Sequence, residues 1–130
     1  GDPETEAVLP RINSDLYELF DGVANQTLHE KSFSVTDQTA TTVMLVSGGY
    51  PEAYEKGKVI SGFENIEDSI VFHAGTTTKE SAVVTSGGRV MAITSLGETI
   101  EEALAKSYQN IEKISFEKMN YRKDIGFDLI

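Results

Sequence analysis

The chain has 130 residues, 39% of them hydrophobic and 25% charged, a balance that supports one packed core rather than a disordered coil. Its 11 Lys and Arg stand against 21 Asp and Glu, a formal net charge of −10, so the basic footprint of a nucleic-acid binder is missing. It has no cysteine, which excludes a disulfide framework, a zinc-finger pattern and a thiol nucleophile, and no signal peptide or apolar run long enough to cross a membrane.

The first residues, Gly1-Asp2-Pro3-Glu4-Thr5, lack an initiator methionine and read as part of an active-site loop in a longer polypeptide. Asn13 or Ser14 is positioned to cap a helix, and Asp15 and Glu18 suit its positive first turn. Leu16, Leu19, Phe20 and Val23 then recur at helical spacing and are expected to face a core. Gly22 weakens that helix, and Asn25 to Thr27 end it. Residues 30–35 alternate as a short strand. The polar stretch Thr36 to Thr39 marks a domain boundary, giving segments 1–37 and 38–130.

Thr41-Thr42-Val43-Met44-Leu45-Val46 is a β-branched apolar run and predicts a buried strand. It stops at Ser47-Gly48-Gly49-Tyr50-Pro51, where glycines free the backbone to approach a ligand. Short strands are expected over 58–60, 69–74, 82–85 and 89–94, spaced as in a small antiparallel sheet or barrel-like sandwich. Gly87-Gly88 reads as a hairpin turn between the last two. Thr99-Ile100-Glu101-Glu102 has the form of a capping box. Ile100, Ala103, Leu104, Tyr108, Ile111 and Ile114 continue it as an apolar stripe, with Lys106 and Lys113 late in the helix, where cations suit its dipole. The order of elements is α+β, not doubly wound α/β.

Chemical signals from residue types alone are modest. His29 reads as a solvated group and His73 as structural, since no neighbouring histidine or thiol accompanies it. Neither Asp2 with Glu4 nor Glu101 with Glu102 makes a magnesium site by proximity alone. Gly48-Gly49 and Gly87-Gly88 could each offer amides to a phosphate, although from spacing alone a tight turn is the better explanation of both. Arg89, directly after the second pair, has the fork geometry of a phosphate or carboxylate clamp. Tyr50 stands out among the tyrosines because it sits in the glycine-rich loop.

Taken together, several stretches resemble the phosphoribosylamine–glycine ligase family. They are Gly1-Asp2-Pro3-Glu4-Thr5 with Val8-Leu9-Pro10-Arg11 and Ser14-Asp15-Leu16; Ser47-Gly48-Gly49-Tyr50-Pro51 with Tyr54-Glu55-Lys56-Gly57; and Val71-Phe72-His73-Ala74-Gly75-Thr76. Ser86-Gly87-Gly88-Arg89-Val90, Leu96-Gly97-Glu98-Thr99 with Glu101-Glu102-Ala103, and Tyr121-Arg122-Lys123-Asp124-Ile125-Gly126 complete the set. The likeness is collinear from first residue to last. Ser86 departs from the family's usual asparagine, Glu52-Ala53 from a glycine–serine pair and Glu6 from glutamine.

The resemblance implies that residues 1–37 end an ATP-grasp domain. Residues 38–130 then form a small β-rich, barrel-sandwich-like C-terminal domain with a long packed helix. It implies an ATP-dependent ligase of de novo purine biosynthesis, cytoplasmic, joining glycine to 5-phosphoribosylamine to give glycinamide ribonucleotide, ADP and phosphate. ATP and magnesium (or manganese) belong to the full-length enzyme, with none expected on this portion, which is expected to be inactive alone and to pack on the upstream ATP-grasp domain. Asp2, Pro3, Glu4, Thr5, Tyr50, Gly87, Gly88 and Arg89 are the expected substrate-pocket residues, with Arg89 placed for the acceptor's phosphate; catalytic residues remain unassigned, and no metal ligand is expected. Two other readings stay open. One is a non-catalytic β-rich binding or carrier module, with Lys56 beside Gly57 as its sole candidate for a modified lysine. The other is an interaction domain of a different ATP-grasp enzyme.

Overall fold

The structure, a computed structural model, describes residues 1–130. Five strands run over Thr39–Val46 (β1), Ile70–His73 (β2), Thr76–Lys79 (β3), Ala82–Thr85 (β4) and Arg89–Gly97 (β5); three helices cover Thr5–Val8 (α1), Leu16–Ala24 (α2) and Ile100–Ile111 (α3). β1, β5 and β2 form an antiparallel sheet in the order β1-β5-β2, and β3 pairs with β4 in a separate two-stranded ribbon. This is the α+β architecture expected.

β5 is the central strand, and Val90, Met91, Ala92 and Ile93 are all fully buried. β1 alternates, burying Thr41, Val43 and Leu45 on one face. Their partners across the ladder are Ser95, Ile93 and Met91, and α3 closes that face with Ile111. Ile60, Val90, Ile114 and Phe116 complete the cluster. The seam also holds polar groups. Ser107 Oγ donates to Ser95 Oγ at 2.8 Å, Ser95 and Ser69 hydroxyls lie 2.7 Å apart, and Asn110 Nδ2 donates to Glu67 O and Ser69 Oγ. Buried hydroxyls and amides are tolerated there because each has a partner.

Several expectations are corrected. Gly87-Gly88 is not a hairpin turn, because β4 and β5 belong to different sheets; neither glycine adopts positive φ. Residues 30–35 form no strand: Leu28–Glu30 is a 3₁₀ turn, and Val35 makes one bridge, to Ile12. Residues 58–60 lie beside β4 through a single bridge, Val59 to Val84. β3 was not anticipated.

The cap of α2 is Asp15, which accepts from Tyr17 N–H; Ser14 instead accepts from Ser34 N–H. Phe20 is 67% and Val23 60% exposed, so the apolar stripe of α2 does not face this chain's core. Thr99 caps α3 by accepting from Glu102 N–H, but Glu102 returns its carboxylate to Glu98 N–H rather than to Thr99.

Candidate functional site

A cavity of about 430 Å³ opens at the end of the sheet where β1 leaves and β5 begins. Met44 and Val46 form its floor, on the face opposite α3. Pro3, Tyr50, Pro51 and Arg89 line one part of its wall, and Asn120, Tyr121, Arg122 and Ile125 another. Four separate stretches of chain therefore meet there.

Local backbone chemistry explains the meeting. The β1–β5 register shifts between Leu45 and Val46, so that Val46 sits opposite Arg89; such bulges bend a strand and re-aim side chains. Val46 also exchanges both backbone hydrogen bonds with Asn120, at 2.8 and 3.0 Å, which brings the C-terminal segment alongside β1. Tyr108 of α3 holds that segment in turn: its hydroxyl donates to Arg122 O at 3.0 Å and accepts from Ile125 N–H.

The loop after β1 is fastened by Ser47, whose N–H donates to Gly88 O and whose hydroxyl donates to Gly87 O, at 2.8 and 2.9 Å. The Tyr50 ring lies in the place a β-carbon at Gly88 would take. Gly87 serves a similar end: an added β-carbon would lie 3.0 Å from Gly75 Cα.

Arg89 faces the N-terminal loop. Its Nη1 donates to Asp2 O at 3.0 Å and its Nη2 to Asp2 Oδ2 at 2.8 Å. Arg122 is paired with Asp124 through two bonds of 2.9 Å, Nε to Oδ1 and Nη2 to Oδ2. That fork holds the Asp124 carboxyl below its ordinary range and raises the Arg122 guanidinium.

Of the residues expected from sequence, Pro3, Tyr50 and Arg89 line the cavity, Asp2 is bound to Arg89, and Gly87 and Gly88 shape its wall. Glu4 and Thr5 do not line it; both are exposed, and the Thr5 hydroxyl donates to Gly1 O. Arg122, Tyr121 and Asn120 were not anticipated as site residues. The available signal was a run of aromatic, cation and anion at Tyr121-Arg122-Lys123-Asp124, unusual for a solvated tail.

Elsewhere, Lys58 lies 2.9 Å from both Glu117 and Glu55, and its ammonium is raised chiefly by the hydrogen bond to Glu117 and then by that to Glu55. Lys56 sits 5.9 Å over the Tyr54 ring. His73 Nδ1 lies 2.9 Å from Thr76 Oγ1, and its ring meets Phe63 edge-on, in keeping with a structural role. No three His, Asp or Glu side chains gather as metal ligands. No helix is long and apolar enough to cross a membrane.

Residues 40–128 match the family model described as phosphoribosylglycinamide synthetase, C domain. The chain is 44% identical to the phosphoribosylamine–glycine ligase of Caldanaerobacter subterraneus subsp. tengcongensis, over 97% of this chain and 30% of that protein. It is 45% identical to the bifunctional purine biosynthetic protein purD of Dictyostelium discoideum, over 97% of this chain and 16% of that protein. Among solved structures, the phosphoribosylamine–glycine ligase of Thermotoga maritima superposes with a TM-score of 0.75 at 37% identity, covering 95% of this chain and 30% of the other. The chain thus spans less than a third of the length of these relatives.

Proposed function

This chain belongs to the phosphoribosylglycinamide synthetase C-domain family, and from that premise we propose that it supplies the acceptor side of an ATP-dependent carbon–nitrogen ligase. The reaction joins glycine to 5-phosphoribosylamine in de novo purine biosynthesis. ATP transfers its terminal phosphoryl group to the glycine carboxylate, leaving ADP. The ribosylamine nitrogen attacks the acyl carbon, inorganic phosphate departs and the nitrogen loses a proton, giving glycinamide ribonucleotide.

In this reading the cavity at the β1–β5 end receives the ribosylamine phosphate. The observation that carries it is the Arg122 guanidinium set in an aromatic and aliphatic wall, with Arg89 beside it turned to Asp2, in a chain whose net charge is −10. An acidic protein concentrates cations locally where it must hold an anion. Pro3 and Tyr50 form the wall, Gly88 admits the Tyr50 ring and Gly87 the close approach of Gly75, and Asp2 stands at the mouth. The contribution is positioning and charge complementarity rather than covalent chemistry.

ATP and its magnesium are assigned to the remainder of the ligase, and the enzyme to the cytoplasm. Residues 1–37 close the preceding ATP-grasp domain, and 38–130 form the C domain. β1 starting at Thr39 and the family match starting at residue 40 support that division. The exposed Tyr17, Phe20, Val23, Leu28 and Phe33 form the face that packs on the ATP-grasp domain, since contiguous exposed apolar groups favour an interface. The ligase match over 40–128 speaks against a carrier module.

The test is product formation by the purified ligase that contains this chain. ADP release that requires both glycine and 5-phosphoribosylamine supports the proposal. ADP release indifferent to either substrate, or none from a folded enzyme, contradicts it.

A further inference from the structure

We propose that Arg89 acts as a positioning residue for Asp2, not as the direct anchor of the acceptor's phosphate. The inference rests on the acceptor-cavity reading above and deepens it.

The guanidinium of Arg89 is already committed. It reaches across 87 positions of sequence and binds one residue twice, at the Asp2 carbonyl oxygen and at Asp2 Oδ2. Gripping backbone and side chain together fixes both the path of the loop and the direction of the carboxylate. Asp2 Oδ1 stays free to accept from an amine or ammonium group.

The fork itself stands on a rigid base. Arg89 O accepts from Gly75 N–H at 2.8 Å, the two preceding carbonyls accept from Ser47, and the next residue, Val90, is fully buried. A loop residue aimed by a rigid strand is how a short, exposed segment gains the precision that a reacting amine demands. Two of the five N–H donors are taken by Asp2 and the guanidinium charge is already balanced by its carboxylate, so a phosphate anchored on Arg89 would sit beside a like charge.

Two measurements on the whole ligase test this. The first is backbone hydrogen exchange in Arg89→Ala. The amides of Thr5, Glu6 and Ala7, which donate to Gly1, Pro3 and Glu4 carbonyls, should exchange about tenfold faster while those of β5 stay protected. Unchanged exchange overturns the tether.

The second is a kinetic cycle of Arg89→Ala, Asp2→Asn and the double variant. Loss of a charged hydrogen bond predicts a fall in kcat of about tenfold or more in each single variant, with the Michaelis constant for phosphoribosylamine little changed. The double variant should match the poorer single within about twofold, because an absent Asp2 leaves nothing to position. Arg89→Lys should recover part of kcat, a single ammonium reaching one acceptor of the two. A raised Michaelis constant for phosphoribosylamine with kcat preserved, or losses that multiply in the double variant, overturns the positioning role in favour of direct anchoring. A wild-type ligase that makes no product while Arg89→Ala still loosens the loop overturns the acceptor reading, and with it the catalytic half of the proposal.

Discussion

The ring of Tyr50 lies against Gly88, in the space a β-carbon there would fill. At Gly75 the neighbour is backbone instead: an added β-carbon would lie 2.5 Å from Arg89 O and 2.7 Å from Gly87 Cα. The two sites therefore predict opposite behaviour on substitution by alanine.

In Gly88→Ala the obstacle is a partly exposed side chain that can swing aside, so stability should change by less than about 1 kcal/mol. Because the displaced ring walls the cavity, the Michaelis constant for phosphoribosylamine should rise. In Gly75→Ala nothing can swing, and overpacking should cost about 1–3 kcal/mol. Denaturant titration of both variants checks the order. Equal stability loss at the two sites would contradict the distinction.

Asn110 is 4% exposed and joins α3 to the turn before β2, donating to Glu67 O and Ser69 Oγ. Asn110→Leu keeps similar bulk but takes the donor away from those acceptors at the edge of the core. A loss of about 1–3 kcal/mol is expected in chemical denaturation. A variant as stable as the parent would show that water replaces the amide freely.

Four exposed carboxyls titrate below their ordinary range, among them Glu101, lowered by its own backbone N–H and then by Thr99. Glu55 is lowered first by its hydrogen bond to Lys58 and then by Lys118, Glu102 by Lys106 and then Glu98 N–H, and Asp124 by Arg122. A carboxyl lowered on folding stabilises the fold above its unfolded value, about 4. That contribution is lost as the pH falls through the folded value. Lys58, raised chiefly by Glu117, acts in the other direction. Its contribution is present below the unfolded lysine value, about 10.4, and is lost as the pH climbs through the raised one. Thermal midpoints should therefore decline on both the acid and the strongly alkaline side. Glu102→Gln should flatten the acid limb, and a limb of unchanged slope would contradict this. The carboxyls are solvent-exposed and Lys58 only half-buried, so each effect is small.

The sheet's framework was readable where local chemistry and tertiary context agree. The run from Thr41 to Val46 is β-branched and ends at glycines, and it folds as most of β1. Thr99 and the stripe from Ile100 through Leu104 to Ile111 announce α3, whose core side matches in Ala103, Leu104 and Ile111. β3 was hidden because Thr76-Thr77-Thr78-Lys79 is polar at every position and shows no alternation to detect. In α2 the apolar spacing of Phe20 and Val23 identified a helix, but periodicity names an apolar side without naming what covers it.

The cavity was half readable. Asp2, Tyr50 and Arg89 come from the N-terminal loop, the glycine–tyrosine–proline loop and the glycine–arginine segment, and all gather at one end of the sheet. Arg122 was not legible because nothing in the tail itself indicates that it reaches the sheet. Its place in the wall depends on the Asn120 bridge to Val46, a contact that local sequence does not encode.

The most direct test of the acceptor cavity is to fill it. Val46 lies on its floor, and Val46→Trp would place an indole where the ribose phosphate is assigned. In the whole ligase this variant should raise the Michaelis constant for phosphoribosylamine by about tenfold or more while leaving those for glycine and ATP within about twofold. A folded Val46→Trp enzyme with an unchanged constant for phosphoribosylamine would place the acceptor elsewhere and contradict the account.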